Sequence, residues 1–478
     1  MNARAETLPD VAAAEPPPLF ATRRVVYPQA VGGAFRRLKW AMLGLLLAIY
    51  YLTPWLRWNR GLGVPDQAVL IDMPGRRAYF FWIEIWPEEV YYLAGLLIFA
   101  AVALFLVTTV AGRVWCGFSC PQTVWTDLFM WVERRIEGDH TQRQRRDAAR
   151  LSFAKAWRKL TKHGLWLLIA LLTGGAWIMY FTDAPGFVRD LAALRVEPTV
   201  LGFVGLFTAT TYLLAGWARE QVCVYMCPWP RIQAAMFDEH TSLVAYDAAR
   251  GEPRGKAGSL ARAADPLNAF AGRGHCIDCG LCARVCPTGI DIRDGSQLAC
   301  IGCALCIDAC DGVMRRIGLP PRLIGFHAMA GALPLRRRLA RPRVLVYLAL
   351  LAAIGGAMLA GLLTRSDLDV TLLPDRAPLF VTLSDGFIQN GYTLKVANKR
   401  HVARDYALSV EGLTRPRLNA IGGEVLPVPQ DGLASFRVYV KVPGSTVKRD
   451  RTPFRFVLTD RATGRMVTHD AILVGPAG

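Results

Sequence analysis

Charged and apolar positions alternate along this chain on two scales. Over roughly the first three-quarters, long blocks without charge interrupt stretches crowded with arginine and lysine; over the last quarter the alternation shortens to every second residue. Five blocks carry no Asp, Glu, Lys or Arg over the roughly 17–25 residues a helix needs to cross a bilayer: residues 40–56, 90–112, 164–182, 198–218 and 344–364. The second and fifth are nearly pure Leu, Ala, Val, Ile and Phe, and the third and fourth contain Gly and Thr, which membrane helices tolerate. Buried helices of a soluble core are the alternative, but five at this length are hard to bury together. The pattern predicts five membrane helices.

The basic residues orient them. Eleven lie between the second and third blocks, among them Arg134, Arg135, Arg145, Arg146, Lys159 and Lys162, whereas only Arg189 and Arg195 separate the third from the fourth. Arg36, Arg37 and Lys39 precede the first block, and Arg336, Arg337, Arg338, Arg341 and Arg343 precede the fifth. Because basic loops stay cytoplasmic, the N-terminus is expected inside and the C-terminus outside. Residues 1–39 then form a flexible cytoplasmic tail without the apolar core and cleavage site of a signal peptide. Residues 40–218 hold four helices, 219–343 a cytoplasmic domain, 344–364 the fifth helix and 365–478 an outer, periplasmic domain. The aromatic group at 78–82 with Trp86 reads as an outer-interface belt, and 251–256, which fails the spacing of a phosphate loop, as a linker.

Composition fits this layout. Of 478 residues, 53% are hydrophobic and 20% charged, which excludes disorder, collagen-like repeats and a small disulfide scaffold. The net charge of +18 follows from topology, and no nucleic-acid motif accompanies it.

The twelve cysteines carry the chemistry. None falls in the first 115 or last 168 residues; all lie in loops or helix ends on the expected cytoplasmic side, where thiols stay reduced and bind metal or do redox work. Cys276, Cys279, Cys282 and Cys286-Pro287 have the ferredoxin spacing of two, two and three intervening residues, and it recurs thirteen residues later as Cys300, Cys303, Cys306 and Cys310. In two-cluster ferredoxins the fourth cysteine of each run ligates the other cluster. The expected ligands are therefore Cys276, Cys279, Cys282 and Cys310 for one [4Fe–4S] cluster, and Cys300, Cys303, Cys306 and Cys286 for the second. Two zinc knuckles would need longer gaps between pairs. Gly280, Gly289 and Gly302 would let backbone N–H groups approach the cluster sulfurs, and His275 stands beside Cys276.

A second constellation repeats at the inner ends of two predicted helices: Cys116-Gly-Phe-Ser-Cys120-Pro121 and Cys223-Val-Tyr-Met-Cys227-Pro228. If each helix continued through its motif, the i and i+4 thiols would share a face, with a kink or helix end at the proline. Together the pairs offer four soft thiolates, suited to Cu(I), Zn or iron–sulfur. A reversible dithiol and simple helix packing are the competing readings; Met226 either adds a thioether or faces lipid. No histidine lies inside an apolar block, which argues against a transmembrane bis-His haem, and neither a dinucleotide nor a flavin fingerprint is present.

In residues 365–478, Tyr392, Leu394 and Val396 alternate, as do Phe436, Val438, Val440 and Val442, and Phe454, Phe456 and Leu458. Period two marks half-buried strands, and several in this length predict an immunoglobulin-like β-sandwich. Asn390-Gly391 is a candidate hairpin turn, the alternative being that it simply opens a strand.

The paired CxxxCP motifs, the eight-cysteine block with Asp311 after Cys310, and the β-rich tail including 378–399 jointly resemble the CcoG/FixG/RdxA accessory proteins of cytochrome oxidase. That resemblance covers nearly everything after residue 35. It implies assembly of a cbb-type oxidase in the bacterial inner membrane, with Cys116, Cys120, Cys223 and Cys227 binding or reducing copper as a cupric reductase and two clusters supplying electrons. Copper enters through the resemblance alone. Implied partners are the bilayer, oxidase subunits or copper chaperones and transporters, an unidentified electron donor and a second copy of the chain. The alternatives are a quinol-linked relay similar to the NapH and NosR proteins, and a non-enzymatic assembly scaffold.

Overall fold

The computed structural model describes residues 25–61, 63–255, 273–331, 334–447 and 449–476. Most of the expected tail, part of the 251–256 linker and, within the expected cytoplasmic domain, the start of the ferredoxin-like block expected over 270–316 lie outside them. The described chain divides into two compact units. Unit 1 comprises residues up to Pro54 together with Leu96–Leu351, and unit 2 comprises Trp55–Gly95 and Ala352–Gly478.

Unit 1 begins with α1 (Ala34–Leu52). After a short insertion, α2 (Tyr91–Ala111) leads to α3 (Val114–Phe118), α4 (Pro121–Glu137) and α5 (His140–Ala148). Next come α6 (Phe153–Ile178), α7 (Ala184–Ala192) and α8 (Pro198–Thr211), the last continuing as π-helix over Tyr212–Ala218. A second π-helical turn, Val222–Met226, precedes α9 (Trp229–Ala235). Strand β4 (Leu243–Tyr246) and the one-turn α10 (Ala248–Gly251) lead towards α11 (Leu281–Arg284), α12 (Leu305–Arg316) and β5 (Ile324–His327), with β5 antiparallel to β4. Gly251, the first residue of the expected linker, thus ends a helical turn. Finally α13 (Leu335–Leu339) precedes α14 (Pro342–Leu363). The insertion before α2 contains β1 (Val69–Asp72), β2 (Arg77–Phe80) and β3 (Ile83–Ile85).

Among the described residues, four helices are long and apolar enough to cross a membrane: Ala34–Trp55, Pro87–Ala111, Pro198–Ala218 and Pro342–Leu363. The remaining expected span, 164–182, falls mostly in α6, whose N-terminal half carries Lys155, Arg158, Lys159 and Lys162; α6 is not one of the four. It packs closely on α8, where a Cβ on Gly174 would meet the Val204 carbonyl at 2.8 Å and the Thr208 amide at 2.9 Å. Small residues at such crossings let helix backbones approach without lost packing.

Helix α1 starts six residues before its apolar block because its first turn is capped by another element. The Phe35 and Arg36 amides donate to the Asp308 carboxylate of α12 at 3.2 and 2.7 Å. These are orphan N–H groups that would otherwise face a buried setting unpaired.

Unit 2 holds a β-sandwich of nine strands: β6 (Leu368–Pro374), β7 (Val381–Thr382), β8 (Phe387–Asn398), β9 (Arg404–Glu411), β10 (Arg417–Ala420), β11 (Val425–Val428), β12 (Gly432–Pro443), β13 (Arg451–Asp460) and β14 (Met466–Val474). One sheet runs β10-β12-β8-β6 with β7 on β8, and the other β11-β9-β13-β14. The period-two residues fill the core between them: Leu394, Val396, Val438 and Val440 are fully buried, with Tyr392, Phe456 and Leu458 nearly so.

One reading is corrected. Asn390-Gly391 lies within β8 rather than in a turn. The Asn390 amide donates to the Val474 carbonyl and accepts from the Val474 amide, both at 2.8 Å, pinning the end of β14. In the 78–82 group, Tyr79 and Phe80 lie on β2 of a three-stranded antiparallel sheet, β1-β2-β3, and Phe81 and Trp82 in the turn to β3; Tyr79 is buried and Trp82 exposed.

Candidate metal centre

Both ferredoxin runs adopt one backbone pattern, which their spacing alone could not reveal. In Cys276-Ile-Asp-Cys279-Gly-Leu-Cys282, positive φ occurs at Asp278 (49°) and Gly280 (65°); in Cys300-Ile-Gly-Cys303-Ala-Leu-Cys306 it occurs at the equivalent Gly302 (69°) and Ala304 (58°). Alternating hand turns successive N–H groups toward one side, the concave arrangement that receives anionic sulfur. Gly280 then caps α11 and Ala304 caps α12, so each run ends on a helix N-terminus.

The thiols gather as two quartets. Burial pushes Cys310 up to about 12, with Cys282, Cys279, Cys276 and Asp311 adding to the effect. Burial also raises Cys306 and Cys303, with Cys300 and Cys286 acting on both. Cys282 reaches Cys306 as well, so the quartets adjoin. Buried thiols crowded together resist ionisation unless cations enter with them. Eight soft donors in two such groups, on inward-turned backbone, fit two iron–sulfur clusters. Asp311 accepts from the Arg322 amide at 2.6 Å, and His275 accepts from Arg250 Nε at 3.0 Å.

The CxxxCP motifs share a second geometry. Neither helix continues through its motif. Cys116 lies on α3, and Cys120 is extended (φ −61°, ψ 129°) before α4. Cys223 lies on the π-turn, and Cys227 is likewise extended (φ −80°, ψ 126°) ahead of α9. The following proline enforces this, since its ring disfavours helical geometry in the residue before it. The four thiols nevertheless lie close enough to act on one another's ionisation. Burial raises Cys116, with Cys120 and Cys227 contributing, and it pushes Cys223 up to about 12, with Cys120, Cys116 and Cys227 contributing. Met226 is largely exposed.

Several residues that complete the centre had no sequence signal. Gln233 is fully buried, accepts from Cys116 Sγ at 3.2 Å and donates to Thr108 Oγ1 at 3.3 Å. Thr123 Oγ1 donates to the Cys116 carbonyl at 2.6 Å. Arg113 donates to the carbonyls of Leu298 and Cys300, the latter at 2.7 Å. A Cβ on Gly117 would meet the Cys303 amide nitrogen at 2.8 Å, so the first CxxxCP turn lies directly on the second ferredoxin loop. Cys116 and Cys223 pack against the same buried cluster as Cys303, Leu305 and Ala309.

Fold and site together define an iron–sulfur protein with membrane-spanning helices and an appended β-sandwich. Residues 218–329 match the family model of a 4Fe-4S dicluster domain, and residues 93–138, which hold Cys116 and Cys120, match that of a 4Fe-4S binding domain. Residues 358–476 match the IG-like fold at the C-terminal of FixG. Protein RdxA of Cereibacter sphaeroides is 49% identical over 437 residues, covering 89% of this chain and 91% of that protein. Protein RdxB of the same organism is 48% identical, covering 96% and 97%. Nitrogen fixation protein FixG of Rhizobium meliloti is 44% identical, covering 96% and 95%. The chain belongs to the FixG/RdxA family.

Proposed function

We propose that this chain delivers single electrons to copper at the paired CxxxCP thiols, reducing Cu(II) to Cu(I) for assembly of a cbb-type cytochrome oxidase in a bacterial inner membrane. Cys276, Cys279, Cys282 and Cys310 hold one [4Fe–4S] cluster, and Cys286, Cys300, Cys303 and Cys306 the other. Each cluster supplies, when bound, the uptake and release of one electron. Cys116, Cys120, Cys223 and Cys227 take copper as substrate. Thiolates are soft ligands that favour Cu(I), which makes the one-electron step downhill.

One observation carries the reading: the backbone of Gly117, next to Cys116, abuts the backbone of Cys303. The topology that goes with this function, cysteines inside and β-sandwich outside, is supported by the basic residues that flank the apolar blocks. All twelve cysteines belong to unit 1, while the insertion 55–95 joins the sandwich in unit 2. The test replaces Cys116 and Cys120 by serine. Cupric reduction should disappear while iron and sulfide stay at about eight each, as two cubanes require. Undiminished reduction in that variant refutes the copper site.

A quinol-linked relay is the second reading, favoured by a cavity of about 380 Å³ beside Pro121 and lined by Tyr50, Trp125, Trp177 and Phe207. Such an open, mostly apolar groove suits a flat, apolar ring. Cluster reduction by a quinol, with no dependence on added copper, would favour it.

A further inference from the structure

The insertion between α1 and α2 supplies a residue with no role in the chemistry above. Glu84 is the middle residue of β3, and its two strand neighbours are isoleucines. Period two turns it to the opposite side from them, and there it is more than nine-tenths buried. Its Oε1 receives no hydrogen bond.

Two loops of the sandwich meet this carboxylate. His401 follows β8, and Asp431 sits in the turn before β12. Asn398, fully buried, ties the loops together by donating to the Val402 carbonyl at 2.8 Å and the Pro429 carbonyl at 3.1 Å. The Asp431 amide adds a bond to the Arg400 carbonyl at 3.0 Å. The side chains are therefore held by fixed backbone, the condition for a preorganised site. Arg77 stacks on Trp86 at 4.1 Å and reaches Asp431 Oδ1 at 3.7 Å, which steadies that carboxylate.

The geometry around the imidazole is decisive. His401 Nδ1 lies 2.8 Å from Asp431 Oδ1, and Nε2 lies 3.3 Å from Glu84 Oε1. A neutral imidazole donates from one nitrogen only. With that proton on Nδ1, held by Asp431, the Nε2 lone pair and the Glu84 carboxylate oppose each other with no donor between them. Two acceptors at that distance repel unless a cation joins them. Each of the three residues offers one ligand atom, and all three atoms lie within 4.8 Å of one another. His401 remains one-third exposed at its side chain, which leaves a way in.

We propose that Glu84, His401 and Asp431 form a binding site for one divalent first-row transition cation in unit 2, separate from the thiol centre. One imidazole and two carboxylates are borderline-to-hard donors, suited to manganese, iron or zinc rather than to Cu(I). A histidine whose other nitrogen is fixed by a carboxylate is the usual metal-binding arrangement. Asp431 acts in that way, orienting the ring or binding through its free oxygen.

The probe is Mn²⁺, which thiolates compete for poorly, titrated into the full-length protein in detergent with its clusters intact. Loss of the free Mn²⁺ electron paramagnetic resonance signal should report one site per chain. Glu84→Gln and His401→Gln should each weaken it at least tenfold, and Asp431→Asn by about 10–100-fold, the range for partners that orient a ligand. Cys116→Ser should leave it unchanged. His401 lies on a partly exposed loop, so its variant folds even if Glu84→Gln does not. Absence of Mn²⁺ binding by the wild type, or binding equal to that of His401→Gln, overturns the proposal. A variant that alters only the pH dependence of melting does so too, since a proton on Nε2 would then be the bridging cation.

Discussion

Gly117 shows how much one residue can hold at this centre. A methyl group on its Cα would come within 2.8 Å of the Cys303 amide nitrogen and Cα, and within 2.9 Å of the Gly302 carbonyl carbon. All three are backbone atoms, and Gly302 is fixed at φ 69° with its own Cα facing the Arg113 carbonyl. Nothing there can swing aside as a side-chain tip would. Gly117→Ala should therefore separate the CxxxCP turn from the ferredoxin loop and cost about 1–3 kcal/mol, the usual range for overpacking. The melting temperature should fall by several degrees, iron content should stay constant, and copper reduction by prereduced protein should slow in stopped-flow measurements. Unaltered electron delivery would mean that this contact is not the route. At this scale the sequence was only partly legible. Cysteine spacing betrays the thiols because their chemistry demands fixed intervals. Gln233 and Gly117 matter because folding brings distant segments together, and neither stands in a pattern that spacing could expose.

At the scale of elements, Glu133 joins three helical pieces. It projects from α4 and receives Arg143 at 2.7 Å, Lys162 of α6 at 3.4 Å and Arg219 at 2.9 Å. Arg219 occupies an unusual backbone conformation, φ 44° and ψ −113°, between the two π-helical segments that lead into Cys223. It also donates to the Gly216 carbonyl at 2.7 Å and lies 5.2 Å over Trp166. A non-glycine residue persists in such a region only where its surroundings over-determine it. Burial raises the Glu133 carboxyl, but Arg219, Arg143 and Lys162 outweigh that effect and leave it below its ordinary value. A depressed carboxylate contributes stability above its unfolded pKa of about 4.3, and loses it as pH falls through the folded value. Glu133→Gln should thus destabilise unit 1 by about 3–5 kcal/mol at pH 7, the cost of stranding buried partners. That difference should shrink in urea titrations below about pH 4, where the wild-type carboxylate also takes up its proton. A difference constant with pH would place the cost in packing instead. Elements themselves were legible in proportion to their length. The 21 residues of α2 and the 12 of β8 and β12 give their period many chances to show. Strands β1 to β3, of three or four residues, give almost none. Asn-Gly misled for a different reason: its turn preference is a local signal, overridden by a side chain that binds Val474 from within a strand.

The whole molecule pairs two kinds of stability. Unit 2 is held by a conventional core, in which Leu394, Val396, Leu426, Val438, Val440 and Leu473 are fully enclosed, and it contains no cysteine. The ferredoxin region of unit 1 is built otherwise. Its α11 has four residues, far below the length at which a helix persists unaided, and its buried apolar groups, Val285, Ile292, Ile301, Leu305, Ile307, Met314, Leu323 and Ile324, are interleaved with the cysteines. Thiols make up much of the remaining interior. Where ligands constitute the core, metal binding and folding become one equilibrium, and removing the metal unfolds what it held. Calorimetry of the intact protein should accordingly show more than one transition, since two-state behaviour fails for multidomain, cofactor-bearing chains. Oxidative destruction of the clusters under chelation should abolish the transition of the cysteine-bearing unit. The sandwich transition should keep both its temperature and its enthalpy. Simultaneous disappearance of both would instead show the β-sandwich to depend on the iron-bearing unit. Its core of alternating apolar residues, sufficient on its own account, argues that it does not.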